Sequence, residues 1–270
     1  MTAAVEPGRV AAIIRETAEA EILPRFRKIT AADITPKGSH GDFATAADFA
    51  AEKALTERLT ALLPGSRAVG EEGCEKHPEL LDSIADDVFT WIIDPLDGTH
   101  NFAKGIPQFA VIVALARGGE TVAAWIHDPL SNATVAAERG AGAWEDGRRL
   151  GVATAGSFWE MQGALYVKAG RPGVVKELDA IRRRFANIVN YRCAGHDYLG
   201  LARGRTHFAL FSRLMPWDHA AGALIHGEAG GYNKCWDGHP YRPTRRGGGI
   251  LLAPDAATWS AIAALVLAPL

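Results

Sequence analysis

Two apolar runs joined by a pair of glycines restrict the fold of this chain more than any other feature. Phe109 to Ala116 and Thr121 to Ile126 are strand-length stretches, and Gly118-Gly119 between them is a hairpin signal. Asn132 to Ala137 reads as a further strand. Asp146-Gly147 marks another hairpin turn, of the kind that accepts positive φ. Upstream, Arg67 to Val69 and Phe89 to Ile93 are short strands, the second ending in Asp94. A run of hairpins builds an antiparallel sheet, and its apolar side must be covered.

Helices are at hand to cover it. Val10, Ile13, Ile14, Thr17 and Ala18 recur at helical spacing, and Pro24 ends or bends that helix. Leu55, Leu59, Leu62 and Leu63 line a second helix, stopped by Pro64-Gly65. The polar stretch Thr35 to Asp42 between them reads as a loop. The second half alternates. Strands Ala164 to Val167 and Ile188 to Tyr191 flank a helix over Val174 to Phe185. Strand Thr206 to Ser212 leads into a helix over Pro216 to Glu228, closed by Gly230-Gly231. A strand near Ile250 to Leu252 and a helix after Pro254 end the chain. Hairpins first and alternation second predict an α/β fold with α+β layering. We expect one domain over residues 1–270, with sub-halves of about 1–150 and about 151–270.

Composition removes several classes of function. A formal net charge of −2, with basic residues spread along the chain, argues against a nucleic-acid surface. Three cysteines, Cys74, Cys193 and Cys235, lie far apart with no C-x-x-C pair, so neither a zinc site nor a disulfide framework is expected. They suit a reducing compartment. Met1 to Val10 lacks the pattern of a signal peptide, and the longest apolar run, Ala261 to Leu267, is far below the roughly 20 residues that span a bilayer. The expectation is a cytoplasmic protein without membrane contact.

Chemistry concentrates where the strand ending at Asp94 turns through Pro95-Leu96-Asp97-Gly98-Thr99. Turns at strand ends are where rigid scaffolds present reactive groups. Two carboxylates three residues apart across a proline turn can converge, and hard divalent cations take oxygen ligands. Gly98 lets the backbone approach an anion, to which its N–H and that of Thr99 can donate. The same residues also serve as ordinary turn formers. Glu71 and Glu72 follow an apparent strand and fit either a metal site or a solvated loop. Asp218 stands at a helix start and fits either a ligand or an N-cap, worth about 1 kcal/mol.

Together, G-E-E, W-I-I-D-P-L-D-G-T-x-N-F and P-W-D followed by a small-residue helix and G-E-A-G-G resemble the inositol monophosphatase family. Lys37, Asp42, Thr45 and Asp48 resemble its upstream K…D-x-x-T-x-x-D element. The likeness runs from about Lys37 to Gly231. It implies the α-β-α-β-α sandwich shared with fructose-1,6-bisphosphatases, and Mg²⁺-dependent hydrolysis of a small phosphate monoester. By the same likeness Glu71, Asp94 and the Leu96 carbonyl hold one Mg²⁺, and Asp94, Asp97 and Asp218 a second, with a third, looser ion near Glu71. Glu71 and Thr99 position the attacking water, and Asp48 supports Thr99. Gly98 and Thr99 cradle the phosphate, while Asp97, Ala194 and Asp218 meet the substrate. A homodimer is the usual family assembly.

The likeness breaks at Phe211 and His100. A Glu that contacts inositol in many members aligns without gaps on Phe211, although Ser212 or Arg213 can stand in if the register shifts. His100 replaces a second Thr, and His196 lies in the sugar-side segment. Arg242, Arg245 and Arg246 form a basic cluster that suits either a second anionic group or a solvated loop. Substrates in view are inositol 1-phosphate, histidinol phosphate, fructose 1,6-bisphosphate and a 3′-phosphonucleotide. A non-catalytic binder of a phosphometabolite or metal is the competing class. Phosphoaspartate-forming phosphatases want D-x-D, whereas Asp94 and Asp97 are three apart.

Overall fold

Alternation along the strands decides the architecture. The computed structural model describes residues 5–37, 42–167 and 179–267. Seven strands form one sheet in sequence order: β3 (Arg67–Gly70), β4 (Thr90–Asp97), β5 (Ala110–Arg117), β6 (Glu120–Asp128), β7 (Ala133–Glu138), β8 (Gly142–Glu145) and β9 (Arg148–Arg149). Only the β3–β4 pair is parallel. Successive side chains point to opposite faces. Trp91, Ile93, Val111, Val113, Leu115 and Trp125 therefore pack with Val10, Ile14, Leu55 and Leu59 of helices α1 (Pro7–Thr17) and α2 (Ala46–Leu62). Their neighbours Ile92, Ile112, Ala114, Ala124 and Ile126 face the other way. They pack on helices α5 (Ala194–Ala202) and α6 (Pro216–Glu228), counted after the short α3 (Glu71–Lys76) and α4 (Thr99–Ala103).

That central helical layer covers a second sheet as well. It is ordered β11 (Asn187–Val189), β10 (Gln162–Tyr166), β12 (Phe208–Phe211), β14 (Ile250–Ala253), β13 (Tyr232–Cys235). Ala209, Phe211, Ile250 and Leu252 face α5 and α6, while Phe208, Leu210 and Leu251 face Ile262 and Val266 of α7 (Ala256–Val266). The layers are α-β-α-β-α, as the likeness implied.

Several elements differ from expectation. Thr35 to Asp42 is not simply a loop: β1 (Ile34–Lys37) and β2 (Asp42–Thr45) form an antiparallel ribbon, with Lys37 opposite Asp42. The helix expected over Val174 to Phe185 lies outside the described residues as far as 178; beyond that, 179–182 are helical and 183–185 are not. β13 was not foreseen, because it is a polar strand with only Cys235 fully buried. The Asp146-Gly147 turn joins β8 to β9 with φ of 48° and 80°, as its residues predicted. The path of α1 continues through a π-helical turn and a 3₁₀ turn to Arg25, so Pro24 does end it.

Candidate active site

A β-bulge builds the centre of the site. Asp94 pairs with Ile112 and Asp97 with Ala110, so two residues of β4, Pro95 and Leu96, oppose Val111 alone. Residues three apart on a regular strand point to opposite faces, and the extra residue brings both carboxylates to one side. Pro95 has no N–H to lose from the ladder there. Gly98 follows with φ +88°, and a Cβ there would sit 2.8 Å from the Gln108 carbonyl oxygen. The chain then enters α4 at Thr99.

Three other elements deliver their acids to the same place. Glu71 opens α3 directly after β3. Asp218 is the third residue of α6, behind Pro216. It is not the N-cap, since Met215 holds that position without a side-chain bond. Thr45 caps α2 and accepts from the Ala47 N–H. Asp48 Oδ2 answers by accepting from the Thr45 N–H at 2.8 Å and hydroxyl at 2.6 Å. Its other oxygen accepts from the Thr99 hydroxyl at 3.1 Å, and the same hydroxyl is 3.0 Å from the Leu96 carbonyl.

These residues line a cleft of about 540 Å³ together with Lys37, Asp42, Phe43, His100, Arg192, Arg213 and Trp217. Glu71, Asp94, Leu96, Asp97, Gly98, Thr99 and Asp218 all face it, whereas Asp48 stands behind Thr99. Ala194 does not line it. Its neighbour Gly195 donates to Asp97 Oδ2 at 2.6 Å, and the Cys193 thiol donates there at 3.0 Å.

The electrostatics are those of a cation site. Burial pushes the Asp94 carboxyl well up, and the Glu71, Asp97 and Asp218 charges add to it. Burial also raises Asp97 against the N–H groups donated to it. Asp218 rises through burial and the charges of Asp97 and Glu71. Asp48 is raised to about 6, chiefly by burial. Lys37 neutralises only part of the group, since its one charge is shared between Glu71 at 2.9 Å and Glu72. Among the described residues no group of three or more His, Cys, Asp or Glu side chains is arranged as it stands to hold a metal ion, and no hydrogen bond is among the main influences on the Asp218 carboxylate. Hard acceptor oxygens facing one cleft with too little positive charge fit divalent cations such as Mg²⁺.

Residues missed in the sequence complete the picture. Glu52, one turn after Asp48 on α2, accepts from the N–H groups of Glu72 at 2.8 Å and Gly73 at 2.7 Å. The i, i+4 spacing was visible, but its destination was not. Asn101 donates to the carbonyls of Gln108 and Tyr191, each at 2.8 Å. His100 stacks near Phe43 with ring centroids 4.5 Å apart, at the mouth of the cleft. His196 instead contacts the Phe109 carbonyl at 3.2 Å and is no part of the lining. Phe211 is buried, stacked between Tyr166 and Tyr198, so the residue reaching the cleft from this segment is Arg213. Arg242, Arg245 and Arg246 pair with Glu120, Asp237 and Asp82, away from the cleft.

A layered α-β-α-β-α fold with an acidic cleft at the bulge of the large sheet defines a class of phosphatases. The profile of the inositol monophosphatase family matches residues 6–268, and the chain belongs to that family. It is 37% identical over 212 residues to an inositol-1-monophosphatase of Caulobacter vibrioides, covering 76% of this chain and 80% of that one. It is 35% identical over 232 residues to the Nus factor SuhB of Escherichia coli K12, covering 83% of each. In fold it matches the Thermotoga maritima IMPase TM1415 with a TM-score of 0.82 at 24% identity, over 97% of this chain and 96% of that one. The protein is a phosphoric monoester hydrolase of this family, whose members depend on metal.

Proposed function

We propose that the chain is a Mg²⁺-dependent phosphatase of a small phosphate monoester, working as one domain. The facing of Glu71, Asp94, Asp97 and Asp218 into one cleft beside Thr99 carries this reading. Glu71, Asp94 and the Leu96 carbonyl would hold one Mg²⁺, Asp94, Asp97 and Asp218 would hold a second, and Glu71 would help to hold a third. Ions held there would supply charge to neutralise the phosphate dianion, acidify water and stabilise a leaving alkoxide.

The chain's own groups prepare the attack. Thr99 has one hydroxyl proton. When it goes to Asp48, the oxygen lone pairs are left to accept from a water. Asp48 is fixed for this by Thr45. Lys37 engages Glu71 through Oε1, so Oε2 remains to take a proton from that water. The N–H groups of Gly98 and Thr99 cradle the phosphate, and Asp97 and Asp218 border the alcohol.

Inositol 1-phosphate, histidinol phosphate, fructose 1,6-bisphosphate and a 3′-phosphonucleotide form the test panel. Phosphate release from at least one, lost in EDTA and restored by Mg²⁺, is expected; no release from any overturns the reading. A cytoplasmic homodimer without nucleic-acid partners completes the proposal. Three buried free cysteines, a net charge of −2, and the lack, among the described residues, of a helix long and apolar enough to cross a membrane support the location and the absence of nucleic acid, while the dimer rests on the family likeness alone. Light scattering tests the dimer. The relative named as a Nus factor favours a second reading, a regulator that binds without turnover. The complete acidic set and Thr99 speak for catalysis.

A further inference from the structure

Two arginines, Arg192 and Arg213, line the same cleft as the acids. Among the described residues neither has a close ion-pair partner. Arg213 is 69% exposed, and its one ion pair, to Asp42, is a loose 3.9 Å. Among the described residues no carboxylate pairs with Arg192. Exposed arginines are common, and what distinguishes these is how their backbones are held.

Arg192 has φ +52°, a left-handed conformation that costs a non-glycine residue about 1 kcal/mol or more. The Tyr166 hydroxyl accepts from the N–H of Tyr191 at 3.0 Å and of Arg192 at 3.4 Å. Asn101, from the helix that starts at Thr99, holds the Tyr191 carbonyl at 2.8 Å. The strained residue is thus clamped from both sides. Arg213 is anchored too. Its carbonyl meets Nε2 of the buried His219 at 2.8 Å, and His219 Nδ1 meets the Tyr198 hydroxyl at 3.0 Å. Rigid backbones that hold loosely paired arginines at the lining of a cleft are what recognition of a carboxylate or phosphate needs. Phe211, meanwhile, is buried and offers no acceptor to a polyol.

We propose that the substrate carries a second anionic group, a carboxylate or another phosphate, bound by Arg192 and Arg213 while its monoester sits among the acids. This rests on the phosphatase reading of the same cleft and narrows its substrate class. The Arg242, Arg245 and Arg246 cluster, each paired elsewhere, does not serve this role.

Two matched pairs of probes test it: 2-phosphoglycerate against glycerol 2-phosphate, and fructose 1,6-bisphosphate against fructose 1-phosphate. With Mg²⁺ present, kcat/KM is expected to favour the doubly anionic member of at least one pair by about tenfold or more, the scale of a hydrogen bond to a charged group. Arg192→Gln and Arg213→Gln should each cut that ratio several-fold, and the double variant should bring it near one. Arg242→Gln should leave the ratio intact. A wild-type ratio near one in both pairs, or a ratio that survives the double variant, overturns the proposal. Should none of the four probes turn over, thermal shift decides the subsite. Stabilisation by 2-phosphoglycerate beyond that by glycerol 2-phosphate, lost in the double variant, supports it; equal shifts overturn it.

Discussion

Glu52 tests the metal-site reading without touching a proposed ligand. Its carboxylate spans the N–H groups of Glu72 and Gly73, at 2.8 and 2.7 Å, and so fixes the first turn of α3, on which Glu71 is the opening residue. Gly70 makes room for it, since a Cβ there would lie within 2.7 Å of all three carboxylate heavy atoms. Burial raises the Glu52 carboxyl, while those two N–H groups pull it back towards the ionised form. Glu52→Ala strands two N–H donors. A hydrogen bond to a charged group is worth about 1.5–3 kcal/mol, and water reaching this half-buried site returns part of that. A net loss of about 2–3 kcal/mol follows, or roughly 4–10 °C in Tm for a chain of this size. The functional effect is separable from that loss. Groups that orient metal ligands typically change metal affinity by about 10–100-fold. Phosphate release measured against Mg²⁺ should therefore need about 10–100-fold more metal in Glu52→Ala. Glu52→Gln, keeping one acceptor oxygen, should need less than Glu52→Ala. KM for the organic phosphate at saturating Mg²⁺ should move far less. A folded Glu52→Ala with the wild-type Mg²⁺ requirement would refute the argument.

Asp94→Asn should abolish phosphate release yet leave the fold intact; because it removes one of several mutually repelling buried carboxylates, its Tm in EDTA at pH 8 should not fall below that of the wild type. Gly98→Ala forces a side chain onto φ +88° and against the Gln108 carbonyl, so it should lose about 2 kcal/mol or more by denaturant titration and most of its activity. Burial depresses His226 from 6.5 to about 3. A depressed folded-state value means that stability is held above the unfolded pKa and lost as pH falls below it. Between pH 7.5 and 5.5 a His226→Gln chain should thus lose about 1 kcal/mol less than the wild type in Mg²⁺; equal losses would contradict the assignment.

Much of the fold was legible because period-two burial is written directly into β4, β5 and β6, and their turns use glycines that adopt positive φ. The helix over Pro216–Glu228 was read to the residue, since proline opens it and glycines close it. What was not legible depended on partners distant in sequence. β13 is polar and exists because β14 pairs with it. Pro36 and its polar neighbours looked like a loop until β2 supplied the opposing strand. Phe211 looked like a substrate-side residue because position relative to Trp217-Asp218 says nothing about which way a strand side chain points. In the sheet it faces the aromatic core, and the cleft receives Arg213 two residues later.

The proposed site shows the same division. Each motif could be seen, but each was ambiguous alone, because Asp is at home in turns, helix starts and capping boxes. In the structure the ordinary tasks are done by other groups or done in addition, which supports the proposed roles. Met215, not Asp218, is the N-cap of its helix, so Asp218 is left facing the cleft. Asp48 does close a capping box with one oxygen, and spends the other on Thr99. Asp94 accepts the Leu96 N–H at 3.1 Å through one oxygen and meets no donor at the other among the described residues. Carboxylate oxygens that structure does not consume, in a cleft where burial and mutual repulsion already raise their proton affinity, are left only two ways to lower their energy. They bind protons or they bind cations, and at neutral pH with Mg²⁺ available the cation is the better partner for several oxygens at once.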